Sequence, residues 1–288
     1  MSVRRSVVAG SFYPGDEPGC REFIERLLPS SVTGPSGEAL AGIVPHAGWV
    51  FSGSTAGKVF AWLRSRRDTL RCMVLLGSDH TGMAVCPSLW PDGSWQTPLG
   101  AADVDEELAS ALLEEMGPLV AADPRCHERE HSIEVQVPFV QYLFPGCKIL
   151  PVAVPPSERS IEFGQSLGGI LERYGDVALV GTSDLTHYGK SYGFAPKGEG
   201  ERAHSWVKEE NDRGLVRLLL EMKAGEILPE ASEHRNACGA GALAATVAYA
   251  RSMGVEEGVL LEQTTSHEVH PQGPPSMFVG YAAVAYGK

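Results

Sequence analysis

The chain has 288 residues, of which 43% are hydrophobic and 21% charged, the balance of a globular chain with a sizeable core. Its net charge of −12 leaves no advertised basic surface, so nucleic acid is not expected as a partner. No apolar stretch approaches the ~20 residues of a membrane span, and the segment after Arg4 and Arg5 lacks the apolar core and cleavage site of a signal peptide. The six cysteines are scattered without a CxxC pair. Reduced thiols, a cytoplasmic location and no membrane association are therefore expected.

In chain order, five short apolar runs read as strands: Ala41–Pro45, Cys72–Leu76, Lys148–Val154, Val177–Gly181 and Met277–Tyr286. Helical patterns run over Glu17–Leu28, Ser54–Arg64, Val104–Met116, Ser132–Leu143, Ser160–Tyr174, Glu201–Met222 and Cys238–Ser252. Strands that alternate with helices predict an α/β fold with a central parallel or mixed sheet flanked by helices on both faces. Pro29–Gly37 is the clearest loop, but it is too short and too early to separate two domains, so residues 1–288 read as a single domain.

Ligands of open α/β sheets bind beyond the carboxyl ends of strands. Three of these runs end in polar loops, delivering His46, His80, and the pair Asp184 and His187. Pro45 keeps the approach to His46 extended. Asp79 is placed either to orient a neighbouring imidazole or to cap the next turn. His187 has the chemistry of a general acid or base beside Asp184. Cys238 falls in the first turn of an Ala-rich helix, where partial positive charge favours a thiolate. His131 and Glu134, three apart, would share one helix face. Phe12, Tyr13 and Trp49 are candidate aromatic walls of a pocket. His127, His204, His234, His267 and His270 read as surface residues. Walker A, GxGxxG, HExxH and GxSxG motifs are all missing from the sequence, so no nucleotide cofactor is expected.

The pieces Ala9-Gly10-Ser11-Phe12-Tyr13, Pro45-His46-Ala47-Gly48, Gly77-Ser78-Asp79-His80, Thr97-Pro98-Leu99, Glu130-His131-Ser132-Ile133-Glu134, Ser183-Asp184-Leu185-Thr186-His187 and Cys238-Gly239 follow one another along the chain. In that order they resemble the Memo family, whose microbial members are called AmmeMemoRadiSam system protein B. The resemblance implies a fold like that of the class III extradiol dioxygenases. It implies that His46, His80 and Cys238 hold one Fe(II) or Cu(I) per chain, with Cys238 standing where those enzymes use a carboxylate. His187 would be the further histidine near substrate. Read from the residues themselves rather than from the resemblance, His131 either lines the same pocket or lies on an exposed polar helix start, and Phe12, Tyr13 and Trp49 stand as walls of a substrate-binding pocket. The resemblance also implies radical-SAM and AMMECR-type proteins as partners. Two departures stand out: Ser78-Asp79 precedes the second histidine where relatives often carry Pro-Ser or Pro-Asn, and Thr264–Pro275 looks idiosyncratic, so the resemblance carries no pocket wall over to it.

Two classes of function fit this set. One is a non-haem iron, dioxygenase-like oxidoreductase, since two imidazoles and one anionic ligand leave coordination positions open. The other is non-catalytic: a protein that binds metal tightly, or a binding module whose pocket takes a small molecule or peptide with an anionic or aromatic group. The sequence alone does not choose between an enzyme and a binder.

Overall fold

All five apolar runs form strands, at Ala39–Val44, Cys72–Gly77, Lys148–Ala153, Val177–Thr182 and Phe278–Gly287. They make the centre of a nine-stranded mixed sheet in the computed structural model, which describes residues 2–288. Across the sheet they lie in the order Phe278–Gly287, Ala39–Val44, Val177–Thr182, Cys72–Gly77, Lys148–Ala153. The last four are parallel to one another, and Phe278–Gly287 runs antiparallel to Ala39–Val44. The three runs that lead into His46, Asp184 and His80 are thus adjacent, with Val177–Thr182 in the middle. Register places Val44 opposite Thr182, and Leu76 opposite Gly181. Strands ~4.8 Å apart bring such loops within side-chain reach of one another.

These three strands are buried along their whole length, which is why they read as continuous apolar runs rather than alternating ones. Two glycines show what covers each face. A Cβ at Gly42 would lie 2.3 Å from Val59 Cγ1, in helix Trp49–Arg66. A Cβ at Gly181 would lie 2.0 Å from Thr246 Oγ1, in helix Ala240–Ser252. Gly181 pairs with Ile43, one residue on from Gly42, so the two helices sit on opposite faces. Helix Glu158–Tyr174 packs along Ala240–Ser252, with Gly164 against Ala245. One apolar core runs from Tyr13 to Tyr286. Among the described residues, no helix is long and apolar enough to cross a membrane.

Several elements differ from the sequence reading. The helix expected from Ser54 begins at Trp49. Ser132–Leu143 divides into a turn, a 3-10 turn at Glu134–Gln136 and a short α-helix at Val137–Leu143, where Pro138 fits the helix start. Glu201–Met222 ends at Leu220 and contains a π-helical turn at Val207–Asn211. Helix Ala224–His234, interrupted by Pro229, and the half-exposed strand Val259–Thr265 carry weak periodic signals and escape the reading. So does a small sheet of Val3–Arg4, Ser94–Thr97 and Gly100–Asp103.

Arg4 fastens that small sheet to the core. Its guanidinium is buried, lies 4.1 Å from the centroid of Trp95, and donates to the His127 and Glu130 carbonyls and to Glu134 Oε2 at 2.8 Å. Glu134 also accepts from the backbone N–H groups of Val7 and Val8 and from the Tyr13 hydroxyl. Removing one partner of a buried ion pair strands the other charge, so Arg4→Ala should cost about 3 kcal/mol or more in denaturant unfolding. The exposed pair Arg21–Glu17 provides the contrast, with Arg21→Ala expected to cost under ~1 kcal/mol. Equal costs for the two would remove Arg4 from its anchoring role.

Candidate metal centre and adjoining cavity

His46 follows the Ala39–Val44 strand and is buried. Its backbone N–H donates to Asp184 Oδ1 at 2.8 Å, and its Nδ1 lies 2.8 Å from Thr182 Oγ1. With Nδ1–H donated to that hydroxyl, the Nε2 lone pair is left free, and Nε2 sits 3.1 Å from Cys238 Sγ. The arrangement is what a metal-binding imidazole requires of its outer nitrogen.

His80 is oriented in the same manner by a different carboxylate. Glu130, fully buried, accepts from the His80 backbone N–H at 2.8 Å and lies 3.0 Å from His80 Nδ1. Asp79 takes no part in this. It caps its own loop by accepting from Thr81, Met83 and Ala84. Ser132 completes the join by accepting from the Ser78 N–H.

Cys238 lies just ahead of the helix, whose cap is Gly239 and whose first residue is Ala240; it is not in the first turn. Its backbone N–H donates to the Asp184 carbonyl, and the next N–H, of Gly239, donates to Ser183 Oγ. A Cβ on Gly239 would lie 2.4 Å from the Thr182 carbonyl oxygen, so only glycine lets the thiol loop approach the strand end this closely.

Burial works against ionisation of Cys238, but the facing imidazoles of His46 and His80 overcome it and pull the thiol well below its usual range. Burial likewise opposes charge on His80, yet Cys238 and Glu130 hold it protonated above the usual imidazole range. His46 is pushed the other way, chiefly by burial. Glu130 is held down to about 2 by the His80 imidazole and by backbone N–H donors, against its own burial.

A third imidazole joins this group. One ring nitrogen from each of His46, His80 and His131, each able to serve as a ligand, lies within 4.8 Å of the other two. His131 stacks parallel to His80 at 5.0 Å between centroids, with Phe12 edge-on at 5.0 Å. Glu134 does not share its face and turns instead to Arg4 and Tyr13.

A cavity of about 360 Å³ opens beside the group, lined among others by Phe12, Phe51, Asp184, His187, Tyr192 and Tyr281. His187 Nε2 stands 4.0 Å from Asp184 Oδ2. Asp184 is more than a cavity wall, since its other oxygen holds the His46 and Ala47 N–H groups. Phe12 lines the cavity, whereas Tyr13 and Trp49 do not: both are buried in the core, bonded to Glu134 and the Val135 carbonyl. The segment Thr264–Pro275 supplies Ser266, His267, His270, Gln272 and Pro274 to the wall. His267 and His270 are thus cavity residues. His127 and His204 are buried, bonded to the Ser88 carbonyl and to Thr265, rather than surface histidines.

Sequence reasoning missed Glu130, Thr182, Ser183 and Asp212. Buried Asp212 accepts from the N–H and hydroxyl of Thr186, between Asp184 and His187. Burial pushes its carboxyl up to about 7, against those two hydrogen bonds.

A family model described as Memo-like protein matches residues 4–285. MEMO1 family proteins of Pyrococcus furiosus and Thermococcus onnurineus are 34% and 35% identical, each alignment covering 99% of this chain and 99% and 100% of the relative. One from Methanopyrus kandleri is 33% identical over 98% of both chains. A crystal structure of an uncharacterised protein from Escherichia coli K12 shares the fold, with a TM-score of 0.51 at 13% identity, covering 87% of this chain and 100% of that one.

Two outcomes follow from the charges. In metal-free protein near pH 7, brief iodoacetamide treatment should label Cys238 first. The other five cysteines are buried, and burial raises Cys20 and Cys147 to about 12. Earlier labelling of Cys20 or Cys147, read by mass spectrometry, would contradict the thiolate assignment. For Asp212 the folded-state value exceeds the unfolded one of 3.8. Its contribution is therefore full below pH ~4 and lost as pH rises through about 7, with a limiting slope of ~1.4 kcal/mol per pH unit. Stability of Asp212→Asn should vary less with pH across that window; an unchanged profile would show that Asp212 does not titrate there.

Proposed function

The chain belongs to the Memo-like family, and from that premise we propose that it is a metal-binding protein whose His46, His80 and Cys238 hold one iron or copper ion. The observation that carries this reading is the pair of anchored imidazoles. Thr182 occupies His46 Nδ1 and Glu130 occupies His80 Nδ1, so both rings turn their Nε2 atoms towards one thiol. The donor chemistry fits: imidazole suits iron and copper, and thiolate adds affinity for Cu(I). When bound, such an ion supplies one-electron redox chemistry.

The rest belongs to the chain's own residues. Glu130 and Thr182 fix ring orientation. The cavity takes a small molecule beside the centre, with Phe12 and Tyr192 contributing aromatic surface. His187, with Asp184 4.0 Å away, is placed to hold or move a proton on that molecule. On this reading the protein is a cytoplasmic oxidoreductase that works with radical-SAM and AMMECR-type partners, an association that rests on the family resemblance. A non-catalytic reading is favoured by the same cavity, whose aromatic and imidazole lining suits an anionic or aromatic group of a small molecule or peptide.

Anaerobic purification and elemental analysis test the proposal. The native chain should carry one iron or copper ion, and His46→Ala and His80→Ala should each weaken metal binding by more than the ~10–100-fold that loss of an outer-shell partner costs. His187→Ala should keep its metal while losing any turnover. Full metal in both ligand variants would end the assignment, and metal loss in His187→Ala would make that residue a ligand.

A further inference from the structure

We propose that His131 is a reserve ligand of this centre, forming with His46 and His80 a three-imidazole set that holds a divalent ion when the Cys238 thiolate is unavailable. The proposal rests on the reading of His46 and His80 as ligands and gives the site a second donor set.

Three imidazoles lie close together beside the thiol. Ring centroids are 5.1 Å apart for His46 and His80, 5.0 Å for His80 and His131, and 5.6 Å for His46 and His131. One ring nitrogen of each falls within 4.8 Å of the other two. Three imidazole nitrogens sharing one ion through bonds of ~2.0–2.1 Å stand ~3.3–3.6 Å apart, so closure on an ion must draw the set inward by up to ~1.5 Å.

His131 differs from the other two in how it is held. His46 and His80 have Nδ1 fixed by Thr182 and Glu130. His131 Nδ1 lies 3.9 Å from Glu130 Oε1, beyond hydrogen-bond reach. Its ring is tilted only 8° from the His80 plane, so it must turn out of the stack to aim a lone pair at a shared ion. That turn is about a soft terminal torsion, and the side chain is partly exposed, leaving it room. An unanchored imidazole beside two anchored ones has the freedom a substitute ligand needs.

The two sets differ in chemistry. His46, His80 and Cys238 form a soft set suited to Cu(I). His46, His80 and His131 form a borderline set suited to Zn(II), Co(II) or Fe(II). The state of one thiol thus decides which class of ion the centre prefers.

The test uses Co(II) as probe, titrated anaerobically into the full-length metal-free chain and into Cys238→Ala, His131→Phe and Cys238→Ala/His131→Phe. Phenylalanine keeps the ring packing against Phe12 while removing the donor nitrogens, and thermal melts confirm folding. Native protein and His131→Phe should each bind one Co(II) with a thiolate-to-metal charge-transfer band. Cys238→Ala should still bind one Co(II), without that band. The double variant should bind more than ~100-fold more weakly than Cys238→Ala, beyond the ~10–100-fold that loss of an outer-shell partner costs. Equal binding by Cys238→Ala and the double variant would overturn the proposal. So would no binding by Cys238→Ala, or loss of Co(II) in His131→Phe, which would make His131 obligatory rather than a reserve. Failure of the underlying metal assignment looks different: native protein would bind no Co(II), or would bind it unchanged in His46→Ala.

Discussion

The end of the central strand, at Thr182–Asp184, holds both sides of the site at once. Thr182 fixes the His46 ring, and the Asp184 carboxylate gathers the His46 and Ala47 N–H groups. The Ser183 N–H donates to the Val44 carbonyl, extending the strand pairing. On the other side the Asp184 carbonyl and the Ser183 hydroxyl accept the N–H groups of Cys238 and Gly239. Three residues thus set the separation of an imidazole and a thiol 192 positions apart in the chain. Burial pushes the Asp184 carboxyl up, while nearby His187 and the two N–H donors pull it down. A fixed backbone turn satisfies one oxygen of this buried carboxylate and so offsets part of the cost of burying it.

The second imidazole depends on a separate chain of contacts. Glu130 holds His80 by ring and backbone, and the Glu130 carbonyl is held by Arg4. Arg4 also pairs with Glu134, which collects Val7, Val8 and Tyr13. The N-terminal segment therefore does two things. It anchors the support of His80 from behind, and it carries Phe12 forward against His131 and the cavity. Arg4 and Glu134 form a buried ion pair that cannot lose one member without leaving the other charge unpaired, and Glu130 joins it through its backbone carbonyl.

The sheet was legible because its parallel strands are buried on both faces and stand out as apolar runs. Their polar ends marked His46, His80 and Asp184 for the same reason. Strand order was not legible, and with it the adjacency that makes those ends one site. Glu130 sat beside His131 in a quoted motif, yet nothing in the spacing says that its carboxylate reaches back 50 residues to His80. Tyr13 and Trp49 read as pocket walls because aromatic residues serve both roles; the hydrogen bonds that bury them appear only in three dimensions. His267 and His270 lay in an idiosyncratic-looking segment to which the resemblance carries nothing over, so their place in the cavity wall had no signal beyond the residues themselves.

The account stands on Cys238 as a ligand alongside the two anchored imidazoles. X-ray absorption spectroscopy at the metal edge of native, anaerobically purified protein tests this directly. The predicted shell holds imidazole nitrogens at ~2.0–2.1 Å and a single sulfur at ~2.3 Å, the lengths usual for such bonds to zinc. A shell of nitrogen and oxygen alone, with no sulfur, would contradict it.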